Sequence, residues 1–516
     1  MRHNRLTRRQ FLGIFAGTTM AAGGWMYASR DQIDQYLRRA LQDTVDFRKH
    51  YDPYPIALDE KDRIHPGDLP VYAGSAADSL ALFRYYPQLA YSRTNTAKVQ
   101  IINIHHQDFQ QVSRRISRCA RIQNSLFPYR DIQDRFIVPW APLFAKWTPV
   151  RKINHPAFHT LHRQVLYVKD EGSDSVALYG NKARKYEFSF PFCLQTGAQN
   201  LVTFGSLSSN HCLFTALTAA CSKVGACFGT AEPKVLLNLY PQVFYPHITA
   251  KLKCLLALGA GIRFLHNDLE VAYSILANQA REHFSPDDAF AYCEPGGSNP
   301  LTTLAHVNAV FELQEQIVDG RAPLQEPPDY IYVPLGSGGT CMGLVLGCYL
   351  LGWKTKVVGT TSQDKSAWKR ALIFGDPTRP FLVQNGIRLL EHTLELLAAF
   401  DLKHQASPIL DAGTILERHF TFDNTIWKPA YGIASERTKA LMQRFSDGRT
   451  LTLDQTFSGK SFTTLMNHVQ AGKLTGKKVL FWNTHQRFDF MSYPKIKDIS
   501  LNLLPVDLRD YIAHCA

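Results

Sequence analysis

The sequence predicts an α/β protein built on mostly parallel β-sheet that helices cover on both faces. Three observations favour this class. From Trp147 onward, short runs of β-branched and apolar residues alternate with stretches of helical periodicity. The runs are apolar almost throughout, as in strands that are buried on both faces. Several of them end in glycine- and serine-rich turns, at the strand-to-helix junctions where parallel sheets bind their ligands.

Residues 147–490 are predicted to form this α/β core. Its strands are Val165–Lys169, Leu201–Phe204, Lys234–Tyr240, Gly261–Leu265, Phe290–Cys293, Tyr330–Val333, Thr355–Thr360 and Lys478–Trp482. Its most distinct helices are Ser209–Gly225, Pro246–Leu258, Asp268–His283, Pro300–Val318 and Gly339–Leu351. Residues 31–146 are expected to be an α-rich extension of no assigned role, with helices at Ser29–Asp46 and Gln107–Leu126 and a strand at Lys98–His106. Residues 491–516 are predicted to be a C-terminal tail.

Length and composition indicate a globular protein of two or three folding units. The chain has 516 residues, of which 45% are hydrophobic and 20% charged. Its net charge of +13 suggests an anionic partner, but the basic residues are scattered. The densest cluster, between Arg114 and Arg121, is either a solvated helix face or a contact for anionic lipid headgroups. We expect no nucleic-acid partner, and the ten cysteines show no metal-ligand spacing, so no metal is expected.

The first 30 residues have the pattern of a targeting segment. Thr7–Leu12 contains Arg8 and Arg9 and resembles a twin-arginine export signal, and a weakly apolar run, Phe11–Ala28, follows. This run is marginal against the ~20 residues that a membrane-spanning helix needs, and the cleavage pattern before Ser29 is poor. We expect location in the periplasm or the inner membrane, with membrane association through residues 11–28. The alternative is an ordinary buried or amphipathic helix in a cytoplasmic protein.

One lysine is a candidate for covalent chemistry. Lys182 opens a helix after Gly180, downstream of the strand Val165–Lys169. A lysine in such a place can form a Schiff base with an aldehyde cofactor, although a solvated surface lysine is the commoner case. The chemistry requires a depressed pKa, which burial and the neighbouring cations Arg184 and Lys185 are expected to supply.

A glycine-rich turn is a candidate phosphate site. It follows the strand ending at Val333, opens a helix, and consists of Gly336, Ser337, Gly338, Gly339 and Thr340. Successive glycines let backbone N–H groups converge on an anion, and the helix N-terminus adds a favourable partial charge. A plain tight turn is the alternative. The turn matches neither nucleotide fingerprint, and no ribose-binding acidic residue accompanies it, which disfavours a nucleotide-dependent oxidoreductase.

Two further strand-to-helix junctions carry polar clusters. Ser209, Asn210 and His211 follow one strand, where helix capping explains one of them but not all three. Glu294–Pro300 follows another strand, and there a cap by Ser298 or Asn299 is a sufficient explanation.

Together these motifs resemble the pyridoxal-phosphate enzymes of fold type II, and more narrowly the 1-aminocyclopropane-1-carboxylate deaminase / D-cysteine desulfhydrase family. The resemblance covers about two-thirds of the chain, from Thr148 to Phe488. Its motifs are Thr148-Pro149, Gly180–Lys185, Ser209–His211, Pro295–Asn299, Gly336–Thr340, Tyr431-Gly432 and Ser458–Ser461. It implies two mostly parallel, helix-covered sheets, a pyridoxal 5′-phosphate cofactor, a small amino-acid substrate and a homodimer.

The resemblance also implies roles for particular residues. Lys182 would hold the cofactor as a Schiff base and move the substrate Cα proton, while Lys185 and the Gly336–Thr340 turn would hold the phosphate. Asn210 would bind the oxygen of the pyridine ring, and Ser458 would face the ring nitrogen. Ser209 would contact the substrate carboxylate or assist proton transfer, and His211 and Tyr431 would contact the substrate.

One match to the family pattern and two departures from it narrow the expected chemistry. Ser458 stands where the family places the partner of the ring nitrogen, and its hydroxyl makes the ring a weaker electron sink than a carboxylate would, which favours prompt elimination of a β-substituent. Phe457 replaces the family's tyrosine, so ring-opening deamination is not expected. Asn483–Gln486 replaces the family's His-Thr-Gly-Gly strand end. The sequence therefore predicts a desulfhydrase-like lyase; the alternative is an exported or membrane-tethered binding protein that has lost turnover.

Overall fold

The computed structural model describes the core of the chain and a few short segments before it. The described residues are 90–93, 100–104, 136–140, 147–172, 180–195, 200–220, 234–266, 270–271, 274, 290–362, 381–400, 411–446, 451–486, 489, 491 and 494–515. The predicted helices Ser29–Asp46 and Gln107–Leu126, the targeting segment and most of Asp268–His283 lie outside them.

The larger sheet of the core has six strands: β4 (Val150–Asn154), β5 (Val165–Asp170), β10 (Tyr330–Leu335), β11 (Lys356–Thr361), β12 (Phe420–Asp423) and β13 (Val479–Asn483). Across the sheet they lie in the order β12-β11-β10-β13-β5-β4. All neighbours are parallel except the edge strand β4, which pairs antiparallel with β5. The register that pairs Asn483 with Asp170 brings the carboxyl ends of β13 and β5 together.

The smaller sheet has four parallel strands: β6 (Asn200–Ser206), β7 (Lys234–Tyr240), β8 (Gly261–Phe264) and β9 (Phe290–Cys293). Across the sheet they lie in the order β8-β7-β6-β9. Two mostly parallel sheets with helices around them are the predicted fold class, which is confirmed.

Eleven α-helices are found within the described residues. They are α1 (Lys182–Gln195), α2 (Asn210–Ala219), α3 (Pro246–Ala257), α4 (Pro300–Val318), α5 (Gly339–Leu350), α6 (Phe381–Phe400), α7 (Ala412–His419), α8 (Glu436–Phe445), α9 (Ser458–Gln470), α10 (Pro494–Lys497) and α11 (Val506–Cys515). None of the helices in this part of the chain is long and apolar enough to cross a membrane.

Helix α4 is the central helix of the core. It lies against α1, α5 and α6, and nearly all of its residues are buried, including Glu312 and Gln316. Its start is fixed by Asn299, which forms a reciprocal capping box with Thr302, and by Pro300 in the first turn. A helix that is enclosed on all sides places its few charged residues in the interior, where they require partners.

The sequence predicted eight of the ten strands described in the core. It missed β4 and β12, which lie at opposite edges of the six-stranded sheet. β4 and β12 are short and carry polar residues, so they lack the apolar run that marks a buried strand. Before the core, the described residues form three strands: β1 (Ala90–Arg93), β2 (Gln100–Ile104) and β3 (Phe136–Trp140) make an antiparallel sheet, of which only β2 was predicted.

The C-terminal segment is part of the folded core. Ile496, Leu504 and Leu508 are buried in the main hydrophobic cluster. The Tyr511 hydroxyl donates to the carbonyl oxygen of Gln242 at 2.8 Å. Residues 494–515, which the sequence assigned to a C-terminal tail, therefore pack against the core.

Candidate active site

Lys182 lies at the first position of α1, beyond the carboxyl end of β5. It is half-buried, and its amine makes no hydrogen bond or ion pair with any described residue. Burial lowers the pKa of Lys182 to about 8. The structure thus presents a lysine that readily loses its proton near neutral pH and is not committed to another side chain.

A buried ionic cluster holds the helix that carries Lys182. The Arg184 guanidinium donates to Glu171 (Nε to Oε2, 2.9 Å) and to Glu312 (NH1 to Oε2, 2.8 Å). Lys169 donates through Nζ to Glu312 Oε1 at 2.6 Å. Two cations and two carboxylates balance within the cluster, and all four are buried. These ion pairs fix one face of α1, and its first residue, Lys182, therefore has a defined position.

This cluster corrects the expected origin of the depressed lysine pKa. Arg184 and Lys185 were predicted to lower the pKa of Lys182 by their charges. The Arg184 guanidinium is instead compensated by Glu171 and Glu312, the pKa of Lys185 is itself lowered, and burial accounts for the shift at Lys182.

Lys185, one helical turn after Lys182, lies in a cradle of neutral donors and acceptors. Its Nζ donates to Gly296 O at 2.9 Å and to Ser298 Oγ at 2.7 Å. Ser298 Oγ lies 2.6 Å from Ser337 Oγ and accepts from Gly339 N at 3.2 Å. Burial and the charge of Lys182 place the pKa of Lys185 well below its usual range. A buried amine without a carboxylate partner is the setting that a bound anion completes.

The glycine turn Gly336–Thr340 supplies the rest of this cradle. Gly338 has a φ of +99°, which favours glycine, and no side chain caps the start of α5. A Cβ at Gly339 would lie 2.7 Å from Ser298 Oγ and 3.1 Å from Lys185 Nζ, so only glycine leaves this approach open. N–H groups at the start of the helix, hydroxyls and one amine form a donor set that fits the phosphate of pyridoxal phosphate.

Neighbouring segments fix the turn in place. Asn181 donates through Nδ2 to Thr340 Oγ1 at 2.9 Å, which joins the turn to the residue before Lys182. Asn385 of α6 donates to Ser337 O at 3.2 Å. The sequence had identified all five residues of the turn. The structure brings Gly339 beside Lys185 and Ser337 against Ser298 of the same cradle, and the predicted hold of the turn on a phosphate stays a prediction.

Ser209 and Asn210 lie at the start of α2, at the carboxyl end of β6. Ser209 Oγ accepts from Cys212 N at 3.2 Å and is the N-cap. Asn210 Oδ1 accepts from Lys251 Nζ at 2.5 Å. Ser209 thus has a structural role in the geometry, and its predicted contact with substrate stays a prediction.

His211 is enclosed between two hydroxyls. Its Nδ1 lies 3.0 Å from Tyr186 Oη and its Nε2 2.8 Å from Thr203 Oγ1. Burial, with the nearby charges of Lys182 and Lys185, places its pKa well below the usual range, so the ring is neutral. Both ring nitrogens are used inside the protein, and the predicted substrate contact of His211 stays a prediction.

Ser458 begins α9 and is fully buried. Its Oγ accepts from Asp454 N at 2.7 Å and donates to Asp454 Oδ2 at 3.3 Å. His485, in the strand end Asn483–Gln486, places Nδ1 3.5 Å from the same carboxylate oxygen. This strand end lies against the lysine turn, since a Cβ at Gly180 would be 2.7 Å from Thr484 O. Ser458 and the strand end Asn483–Gln486, which departs from the family pattern, therefore both border the site.

Tyr431 and Phe457 form an aromatic wall. Their rings meet edge to face, with centroids 5.7 Å apart. A Cβ at Gly336 would lie 3.2 Å from Phe457 Cε1, so this wall borders the glycine turn. Burial raises the pKa of Tyr431 beyond its usual range, and its hydroxyl remains protonated. Lys460 holds the segment before Tyr431 by donating to Trp427 O and Ala430 O, each at 2.7 Å.

Three residues of the site were missed by sequence reasoning. Ser298 was interpreted as a possible helix cap. Asn299 is the cap, and the hydroxyl of Ser298 instead accepts a hydrogen bond from Lys185. Glu312 has a recognisable signal, because it is one of only two carboxylates in a mostly apolar helix. Lys251 has none, because one lysine on an amphipathic helix is ordinary.

Comparison with known proteins agrees with the fold. The family model described as pyridoxal-phosphate dependent enzyme matches residues 142–485. The chain belongs to this family and is an enzyme with pyridoxal phosphate as its cofactor. The family resemblance inferred from the motifs is thereby confirmed.

Individual relatives lie within this family. The 1-aminocyclopropane-1-carboxylate deaminase of Bradyrhizobium diazoefficiens is 25% identical over 350 residues, which are 66% of this chain and 92% of that protein. The mitochondrial bifunctional D-cysteine desulfhydrase/1-aminocyclopropane-1-carboxylate deaminase of Arabidopsis thaliana is 28% identical over 213 residues, 41% of this chain and 51% of that protein. The crystal structure of an ACC deaminase homologue shares the fold, with a TM-score of 0.52 and 22% identity over 71% of this chain and 96% of that one.

Proposed function

We propose that this protein is a desulfhydrase-like lyase that eliminates a β-substituent from a small amino acid, giving a 2-oxo acid and ammonia. The relatives named as deaminases and desulfhydrases support the substrate class. The observation that carries the proposal is Lys182: its amine has no partner among the described residues and a pKa of about 8, and it lies three residues before the amine of the phosphate cradle.

The residues divide the work as follows. Bound pyridoxal phosphate supplies an aldehyde for the substrate amine and a ring that takes up electrons as bonds at Cα break. Lys185, Ser298 and the Gly336–Thr340 turn would hold the phosphate. Lys182 would hold the cofactor in the resting enzyme and would take the proton from the substrate Cα, a task suited to a base that titrates near neutral pH.

The aromatic wall determines which bond breaks. The substituent on Cβ leaves with the bonding electrons, as hydrogen sulfide from cysteine, and water converts the remaining unsaturated amine to pyruvate and ammonia. Phe457 has no hydroxyl to donate or accept a proton. Cleavage of a cyclopropane ring, which needs an acid or a nucleophile at this wall, is therefore not expected.

The test is product release from a panel of substrates. Protein reconstituted with pyridoxal phosphate should release pyruvate from D-cysteine or β-chloroalanine and no 2-oxobutanoate from 1-aminocyclopropane-1-carboxylate. Lys182→Ala should abolish release, whereas Lys439→Ala, at an exposed position on α8, should not. Release of 2-oxobutanoate by the wild type at a rate like that of pyruvate would contradict the assignment of Phe457.

A binding protein without turnover is the second candidate, favoured by Phe457 and by the altered strand end at Asn483–Gln486. It predicts a normal cofactor absorption band and no product from any member of the panel. That result would replace the lyase by a binder, and a wild type without any band would remove both.

We also propose export and dimerisation. Export is supported by Thr7–Leu12, outside the described residues: a reporter fused after Ser29 should be exported, and Arg8→Lys with Arg9→Lys should prevent it. Export that survives both changes would contradict a twin-arginine signal.

A homodimer predicts a mass near twice the 58.3 kDa of the chain in sedimentation. A single-chain mass at micromolar concentration would contradict it.

A further inference from the structure

A second lysine, Lys251 of α3, enters the site at the turn between β6 and α2. Its Nζ lies 2.5 Å from Asn210 Oδ1 and 2.6 Å from Ser208 O. It joins two helices whose contact residues are 41 positions apart in sequence. Nothing in the sequence pattern pointed to this residue.

The contact with Lys251 fixes the orientation of the Asn210 side-chain amide. An ammonium group has donors and no acceptor, so the amide atom facing Lys251 is the oxygen. The Nδ2 group of Asn210 consequently points away from Lys251, and it donates to no described residue. The start of α2 therefore offers a ligand two N–H donors and no acceptor from this side chain.

The charge of Lys251 is not neutralised by an ion pair with any described residue. Burial lowers its pKa to about 8, so most molecules carry the charge at neutral pH. The groups around it are Cys212 of α2, Cys254 of α3 and Asp454. Burial raises the pKa of both thiols to about 12, so they are neutral. Asp454 attracts the ammonium from a distance, while its own oxygens accept from Thr456 N and Phe457 N.

We propose that Lys251 is a positioning residue: it locks the amide of Asn210 so that its NH₂ group donates to an anionic oxygen of the bound ligand. This inference rests on the proposed function, in which that oxygen belongs to the pyridine ring of the cofactor. Lys251 acts through Asn210 and adds a positive charge behind it. Both effects favour the deprotonated oxygen.

The test is the pH titration of the cofactor absorption band. Lys251→Met keeps the length of the side chain but removes its donors and its charge. Loss of both makes protonation beside the ring oxygen easier, so the midpoint should rise by about one pH unit, the size of one lost charge-assisted hydrogen bond. Lys251→Arg retains charge and donors and should restore a midpoint close to the wild type.

Lys253→Met is the matched control, because Lys253 lies on the same helix and donates to Lys497 O at 2.6 Å, away from the turn. It should leave the midpoint unchanged. A Lys251→Met protein that binds the cofactor and titrates at the wild-type midpoint would overturn the proposal.

Asn210→Asp keeps the proposal testable if Lys251→Met does not fold. Its side chain still accepts from Lys251 but offers no N–H donor, so the midpoint should again rise, and an unchanged midpoint would overturn the proposal. A wild type that shows no band would remove the proposed function together with this inference. A band with no shift in either variant would remove this inference alone.

Discussion

Arg184 and Glu312 meet through two parallel hydrogen bonds, NH1 to Oε2 at 2.8 Å and NH2 to Oε1 at 3.0 Å, beside the first turn of the helix that begins at Lys182. Both side chains are almost fully buried. Burial opposes ionisation of Glu312, but Arg184 and Lys169 outweigh it and lower the pKa of its carboxyl to about 2. The pair therefore remains ionised at every pH at which the protein is used.

Removing one member of this pair should destabilise the protein strongly. Glu312→Ala leaves Lys169 and Arg184 with an uncompensated buried charge, and such changes cost about 3–5 kcal/mol. The measurement is the denaturant midpoint of the apoprotein. Glu436→Ala, which breaks an exposed ion pair with Lys439, is the control and should leave the midpoint where it was. Equal midpoints for both variants would show that the cluster does not stabilise the helix.

The depressed pKa of Lys182 should be visible in its reactivity. Only the neutral amine is nucleophilic, so reductive methylation of apoprotein at Lys182 should rise with pH and level off above about 8. Peptide mass mapping after short labelling at several pH values measures this, with the exposed Lys439 as internal reference for the reagent. Labelling of both lysines in parallel across the pH range would contradict a lowered pKa.

Lys185 should contribute to binding of the phosphate and not of the ring. Lys185→Gln removes one charge-assisted interaction worth about 1.5–3 kcal/mol, a loss of about 10- to 150-fold in affinity for pyridoxal phosphate. Pyridoxal lacks the phosphate and should bind both proteins equally. The ratio of the two dissociation constants, measured by fluorescence titration, separates this effect from damage to the fold. An equal loss for both ligands would contradict the assignment.

Gly339→Ala should close the phosphate cradle. The added methyl group would lie 3.1 Å from Lys185 Nζ and 2.7 Å from Ser298 Oγ, where the phosphate is expected. Affinity for inorganic phosphate and for pyridoxal phosphate should both fall at least about tenfold, in line with the loss of one donor. Unchanged phosphate binding, measured by calorimetry, would place the anion elsewhere.

The sequence predicts those parts of the site that depend on local pattern. Each junction that bears a motif follows a continuous apolar run, and parallel strands of one sheet bring their carboxyl ends to one edge, so the meeting of the Lys182 turn with the Gly336–Thr340 turn was predictable. Asn210 follows a strand of the other sheet, and its place at the site was implied by the family resemblance. The two missed strands, β4 and β12, are polar edge strands without that pattern.

The remaining parts depend on contacts between distant positions. Ser298 meets Lys185 across 113 residues, and Glu312 meets Arg184 across 128. The same topology encloses His211 between Tyr186 and Thr203 and compensates the charge of Arg184. Spacing along the chain does not encode which side of a helix faces which neighbour, and these partners therefore emerged only from the folded structure.

The most direct test is to find which lysine holds the cofactor. Lys182, Lys251 and Lys460 all have a pKa of about 8, so reactivity alone does not distinguish them. Protein reconstituted with pyridoxal phosphate is reduced with borohydride, digested and mapped by mass spectrometry. A phosphopyridoxyl group is expected on Lys182 of the wild type, and no such group is expected in Lys182→Ala. A label on Lys251 or Lys460 in the wild type, or no label at all, would contradict it.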